Sequence, residues 1–266
     1  MTLRHIEIAG KRRHLSGWRK DKPDPRDKQM AVPFLARFSL PNKVSMRGMV
    51  GLVVEDQAEI GSCTYNASSS LHEFVIAKLL GSTVVLSRLW GYAKGREMEG
   101  TPLTEDSGSE IRNAVKLFAT LGCPEEVHWP YDTSKFSVRP PDSILPEAAK
   151  HKALLYYRCG NSVKPSLLAI KASLAQGFPV VGGFSVPENM MSAECARSGF
   201  VEIPARGEGF VGGHAVLFTG YNDRLGVLEF MNSWSKYWGD GGYGYLPYVF
   251  ITEGYADDFW TIRRAT

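Results

Sequence analysis

The chain has 266 residues, of which 44% are hydrophobic and 22% charged, with a net charge of +3 and four cysteines. This is ordinary globular composition, long enough for one large domain or two lobes sharing an interface, and it excludes a disordered or low-complexity chain. No apolar run approaches the roughly 18 residues of a membrane span, so no membrane partner is expected. The cysteines, at 63, 123, 159 and 195, are too few and too dispersed for a disulfide scaffold and form no CxxC zinc pair. With Cys63 set aside, an odd three remain. Buried free thiols are expected for these three, one disulfide among them staying open. The charge is uneven: residues 1–28 carry nine Lys and Arg against four Asp and Glu, a net +5, and the remainder is −2. Basic residues interleaved with aromatics on a folded surface are not evident, so no nucleic-acid partner is expected. The amino terminus lacks the apolar stretch and small-residue cleavage site of an export signal, which favours a reducing, cytoplasmic setting.

In chain order, Met1 to about Pro41 is polar and punctuated by Pro23, Pro25, Pro33 and Pro41. That composition predicts an extended leader in preference to a packed unit. Residues 63–80 place Ala67, Leu71, Phe74, Val75 and Leu79 at helical spacing with Gly81 as the stop, which predicts a buried helix. A second helix is predicted over 109–121, through Ile111, Ala114, Val115 and Phe118 with Gly122 beyond its end, and a third from Pro165 to Gly177. Then the pattern changes. FPVVGGFSV, HAVLFTGY, LGVLEFM and GYGYLPY are short, β-branched or aromatic runs separated by Gly, Asn and Asp, the chemistry of antiparallel strands and turns. The front half reads as mainly helical and the back half as mainly sheet, so the fold class is α+β.

Chemistry concentrates in DQAEIGSCTYNAS, residues 56–68. Cys63 stands at the mouth of the first predicted helix, where the positive end of the helix dipole and unpaired N–H groups stabilise a thiolate. A catalytic thiol needs a base. Of the six histidines only His214, in GGHAVLFTGY, stands in a predicted strand behind small residues that leave room for another backbone. The imidazole needs an orienting acceptor, and Asn232, in MNSWSKYWGDGGYGY, lies 18 residues on with Trp234 to shield that bond from water. Gln57 can aim its amide at the oxygen of a tetrahedral intermediate, with the Cys63 N–H as second donor. Read singly, Cys63 and His214 are better explained as core residues; it is their combination that points to catalysis.

These three segments, in the order Gln, Cys, His, Asn, resemble the signatures of papain-like cysteine peptidases. LPNKVSMRGMVGLVVEDQ resembles the start of the mature domain and DSGSEIRNAVKLFATLGCPEEVHWPYD its second helix and exit, so the likeness covers roughly residues 40–250. The resemblance implies a two-lobed fold with the active site in the cleft between a helical lobe (about 41–160) and an antiparallel β-barrel-like lobe (about 161–255). Residues 1–40 would then be a leader, either an inhibitory pro-segment lying over the cleft or a disordered tail, and 41–266 the peptidase domain. It implies an endopeptidase acting on polypeptides through a thioester, without metal or cofactor. Cys63 would be the nucleophile, His214 the base and then acid, Asn232 the orienter and Gln57 the oxyanion donor. The Gly108 backbone would pair with extended substrate, Gly213 would shape the pocket for the residue two before the cut, and Trp234 would flank the site. Thr64 and Ile60 stand where many relatives have tryptophan and cysteine, which places the likeness nearer the prokaryote-type branch.

Other signals carry less. GEGFVGG fits G-x-G-x-x-G but leads into a strand, HEFVI lacks the second histidine of a zinc protease, and no G-x-S-x-G anchors a serine hydrolase. A thiol amidase or transpeptidase with the same residues, and a peptide-binding pseudoenzyme, remain the competing expectations.

Overall fold

The first predicted helix is the axis of the molecule. In the computed structural model, which describes residues 5–8, 10–15, 17–32, 39–161, 164–205 and 207–266, α1 (Cys63–Leu80) is buried on every face from Cys63 to Ile76. Gly81 ends it in the left-handed region (φ 69°), returning its N–H to Ala77 O as the sequence anticipated. Two helices pack beside it, α2 (Arg88–Met98) and α3 (Ile111–Thr120). Helix α3 starts two residues later than predicted because Ser109–Glu110 form a short strand, β5. Helix α2 has no counterpart in the sequence reading: RLWGYAKGREM holds two glycines and buries Arg88, Lys94 and Arg96, so no apolar stripe marks it. The glycines have a packing reason. A Cβ at Gly91 would stand 2.6 Å from the Tyr65 ring of α1.

Seven strands make the second layer. β6 (Ala153–Arg158), β7 (Val180–Pro187), β8 (Phe210–Asn222), β9 (Val227–Met231), β10 (Tyr243–Pro247) and β11 (Ala256–Ala265) run in the order β10–β9–β8–β7–β11–β6, with β4 (Lys43–Ser45) on β8. Every one of these pairings is antiparallel. β6 falls inside the stretch expected to be helical and β11 lies wholly beyond residue 255; they pair with each other, Trp260 opposite Arg158. Helix α5 (Leu167–Ala175), after the short α4 (Leu145–Ala148), starts from Ser166, whose hydroxyl accepts the Ala169 N–H. Short helices α6 (Ala193–Ser198) and α7 (Val249–Thr252) complete the set.

Buried side chains form two clusters. One gathers Trp90, Tyr92, Ile111 and Phe118 around α1, and the other Phe184, Phe218, Phe230 and Phe259 on the sheet. Cys63 belongs to the first and Trp234 to the second, so the predicted site straddles their seam.

The leader is more ordered than its composition suggests. β1 (His5–Ile8) and β2 (Lys11–His14) form a hairpin, and β3 (Trp18–Arg19) runs parallel to β5. The portion of the extended-leader expectation carried by Pro33 lies outside the described residues.

Candidate active site

Cys63 is the first residue of α1 and is fully buried. Its Sγ accepts the Ala215 N–H at 3.3 Å, so the sulfur meets β8 one residue past His214. The Thr64 backbone N–H also favours a sulfur anion, as expected at a helix start. On β8, His214 Nε2 lies 2.8 Å from Asn232 Oδ1, an oxygen that also accepts the Ser233 N–H. An amide oxygen only accepts, so the bond assigns the proton to Nε2 and leaves Nδ1 as the basic atom. Nδ1 has no hydrogen bond among the described residues. Trp234 stacks on the imidazole with ring centres 4.7 Å apart, and Phe184 meets it edge-on at 6.0 Å, which together exclude water.

Gln57 is held on three sides. Its Oε1 accepts the Ser233 hydroxyl at 2.6 Å, its Nε2 donates to Ile60 O at 3.0 Å, and its backbone N–H donates to Ser233 O. A primary amide has two N–H bonds, so one remains for an oxyanion. Tyr131 braces the loop from behind, donating to Gln57 O at 2.9 Å and sharing a 2.6 Å bond with the Ser62 hydroxyl. Asp106 accepts the Gly61 N–H at 2.9 Å. Sequence reasoning gave no site role to Tyr131, Ser233 or Asp106. Their signals were faint: a serine beside the asparagine, and an aspartate opening DSGSE.

Structure brings Gln57, Cys63, His214, Asn232 and Trp234 together. The two glycines fare differently. Gly108, at φ 67°, spends its N–H on the Tyr92 hydroxyl, and the neighbouring Ser109 N–H instead pairs with an extended chain, donating to Gly17 O at 3.0 Å. Gly213 donates its N–H to Leu15 O at 2.7 Å, and a Cβ there would stand 2.7 Å from Trp18 O.

That extended chain is the leader. A Cβ on Gly17 would lie 2.5 Å from Cys63 Sγ and 2.7 Å from Gly61 O, so only glycine fits over the sulfur. The Gly17 carbonyl is bound by Ser109 N–H and by the Thr64 hydroxyl at 3.1 Å, not by Gln57. On one side of the sulfur, the Trp18 indole packs on Gly183 and Gly213 and donates to Asp258 Oδ2 at 3.1 Å. On the other, Arg13 is buried against Asp56. Beyond Trp18, Asp21 and Asp27 reach two buried guanidiniums: Arg158 binds Asp21, Asp257 and Asp258 at 2.8–3.0 Å, and Arg112 binds Asp27 through Nη2 at 2.6 Å.

Cover by the leader changes the electrostatics. Burial pushes the Cys63 thiol up to about 12. It pushes the His214 imidazole down to about 4, against the Asn232 bond, and the charge of Arg13 adds to the lowering. Both shifts disfavour the charged forms, so the closed chain holds a neutral thiol and a neutral imidazole, where the sequence argument looked for a stabilised thiolate. A raised thiol pKa means little thiolate at neutral pH. Alkylation at Cys63 of the full chain, followed by peptide mass, should therefore keep climbing from pH 7 to 10, whereas a free thiol levels off above about 8.5. A plateau near that value would show an uncovered sulfur. Cys63, Cys123, Cys159 and Cys195 are all free and buried, as expected for the last three.

Comparison with known proteins places this geometry. No family model matches the chain. It is 34% identical to an uncharacterised peptidase C1-like protein of Acanthamoeba polyphaga mimivirus, over 94% of this chain and 87% of that one. Among solved structures it is similar to xylellain, a cysteine protease from Xylella fastidiosa, at 32% identity with a TM-score of 0.84, covering 93% of this chain and 95% of that one. A cysteine protease of Carica candamarcensis shares the fold at 20% identity and a TM-score of 0.61, over 77% of this chain and 88% of that one. With a curated relative above 30% identity across nearly the whole length and a solved protease that superposes as closely, the chain belongs to the papain-like cysteine peptidases.

Proposed function

We propose that the chain is an endopeptidase that hydrolyses polypeptides through a thioester on Cys63, and that residues 1–40 keep it latent over a peptidase domain of residues 41–266. The reading rests on one observation above the others: the His214–Asn232 bond of 2.8 Å sits on the strand whose next N–H meets Cys63 Sγ. With the leader withdrawn, water and substrate reach the pair, the burial that held both groups neutral is relieved, and His214 Nδ1 takes the thiol proton. The sulfur attacks the peptide carbonyl. Gln57 Nε2 and the Cys63 N–H hold the oxyanion, and the imidazolium then gives its proton to the departing amine. Water, deprotonated by the same imidazole, hydrolyses the thioester. Asn232 fixes the ring in the required tautomer throughout.

Latency follows from how the leader lies. It lies on both sides of the sulfur, and the Gly17 carbonyl is committed to Ser109 and Thr64, so the Gly17–Trp18 bond is not presented for attack. The test is cleavage of a mixed peptide library by the full chain and by the chain with a loosened leader, with products identified by mass. Internal cuts with free carboxyl ends are expected, faster with the loosened leader. Replacing Cys63 by alanine should lower kcat by about a thousandfold or more, in line with losses on removing a nucleophile. Ammonia released from amide groups without internal cuts would favour the amidase alternative and joined peptides the transpeptidase one, and unchanged kcat in the alanine variant would remove Cys63 from the chemistry.

A further inference from the structure

On the side of the sulfur away from Trp18, the leader places one cation in a shaped notch. Arg13 is only 2% exposed. Its Nη1 and Nη2 grip the two oxygens of Asp56, Nη2 donates to Trp234 O at 3.2 Å, and Nη1 reaches Ala58 O at 3.4 Å. These acceptors are set by the body of the protein, not by Arg13. The Ala58 N–H holds Asp56 Oδ1 at 2.9 Å, and the Asp56 segment bridges to Trp234 while Gln57 N–H bonds Ser233 O. Ala58 and Ser235 both hold left-handed φ values (53° and 69°) without being glycine, a conformation kept only where surroundings enforce it. Withdrawal of the leader leaves one carboxylate and two carbonyls converging on a space that a guanidinium fills.

Resting on the peptidase reading above, we propose that this notch is a substrate subsite that takes a basic side chain, arginine first, on the leaving-group side of the cut. The side follows from the leader's path. Trp18 lies against Gly213, which the family resemblance assigns to the acyl side, Gly17 covers the sulfur, and Arg13 stands four residues before Gly17 in the chain. Four residues span at most about 14 Å, so the subsite serves one of roughly the first three residues after the cut. Arginine suits it better than lysine because the carbonyls and the carboxylate together need several donors in one plane.

The experiment uses the full chain with two leader substitutions, Arg13→Ala to empty the notch and Gly17→Val to lift the chain from the sulfur. Internally quenched peptides differ in a single residue, Arg, Lys, Ala or Glu, at each of the three positions after the cut. At one position arginine is expected to raise kcat/KM over alanine by about tenfold to a hundredfold, the range of one to two charge-assisted bonds, with glutamate poorest. Adding Asp56→Asn should shrink the Arg-to-Ala ratio below about threefold, a comparison internal to the variant. In the same chain carrying Cys63→Ala, fluorescence anisotropy should show the arginine peptide binding at least about tenfold tighter than the alanine peptide. Equal rates, or equal affinities, at all three positions would overturn the subsite. Preferential binding of the arginine peptide without cleavage of any peptide would uphold the subsite and count instead against the peptidase reading. Should Asp56→Asn fail to give a cooperative melt, the Arg-against-Ala comparison with Asp56 intact still decides.

Discussion

Replacing Gly17 by valine in the otherwise intact chain should wake the thiol. The added carbons have no room: the first of them would meet Cys63 Sγ at 2.5 Å and Gly61 O at 2.7 Å. Overpacking of this kind costs about 1–3 kcal/mol, which shifts the docked–undocked balance of the leader by roughly 5- to 150-fold. Alkylation of Cys63 at pH 7 and peptide turnover should rise together by that factor. Because Gly17 lies in the leader, the body should melt cooperatively as before. The pH dependence should change as well. Burial is what holds the thiol at about 12 and the imidazole at about 4, so uncovering moves the two towards each other and alkylation should persist well below pH 8. An unchanged alkylation rate would mean that the leader does not rest on the sulfur.

Arg158→Met should be among the most damaging single substitutions in the protein. Its guanidinium is 2% exposed and neutralises Asp21, Asp257 and Asp258, with Asp27 3.9 Å away. Removing one partner of a buried ion network leaves carboxylates without compensation at a cost of about 3–5 kcal/mol, or roughly 6–20 °C in Tm for a domain of this size. Burial already pushes the carboxyls of Asp21 and Asp258 upward, so what they contribute to stability is present in full below their ordinary range near 4 and is lost as pH rises. Without Arg158 they must hold protons still more tightly. The deficit should therefore widen between pH 5 and pH 8 in calorimetric melts, and the alkylation rate at Cys63 should rise because Asp21 anchors the leader. A melt within about 2 °C of the parent would show that the carboxylates are satisfied without the guanidinium.

What could be read in advance followed local chemistry. α1 announced itself through its apolar spacing and Gly81, and the residues gathered at its mouth were visible because each has a functional group at a place where structure rarely needs one. α2 and β11 were not visible. Each buries charge: Arg88, Lys94 and Arg96 in the first, Asp257 and Asp258 in the second. Their partners come from distant segments, Asn66, Glu55 and Glu126 for Arg88 and residues 21 and 158 for Asp258, so no window of sequence shows the charges to be satisfied. The supporting contacts of Tyr131, Ser233 and Asp106 escaped for the same reason. The leader's course was the hardest part, because proline and charge content describe an unpaired chain equally well whether it floats or lies in a groove.

Asp21 and Asp27 have a consequence for the lifetime of the active species. On the latency proposed above they belong to the segment that leaves the cleft, yet Asp27 is a counter-ion of Arg112 and Asp21 one of three around Arg158, and both guanidiniums stay behind. Shedding that segment takes the carboxylate of Asp27 from Arg112, while Arg158 loses Asp21 but keeps Asp257 and Asp258. A chain freed of that segment is therefore expected to be less durable than the full chain, and switching on to start a clock on how long the activity lasts.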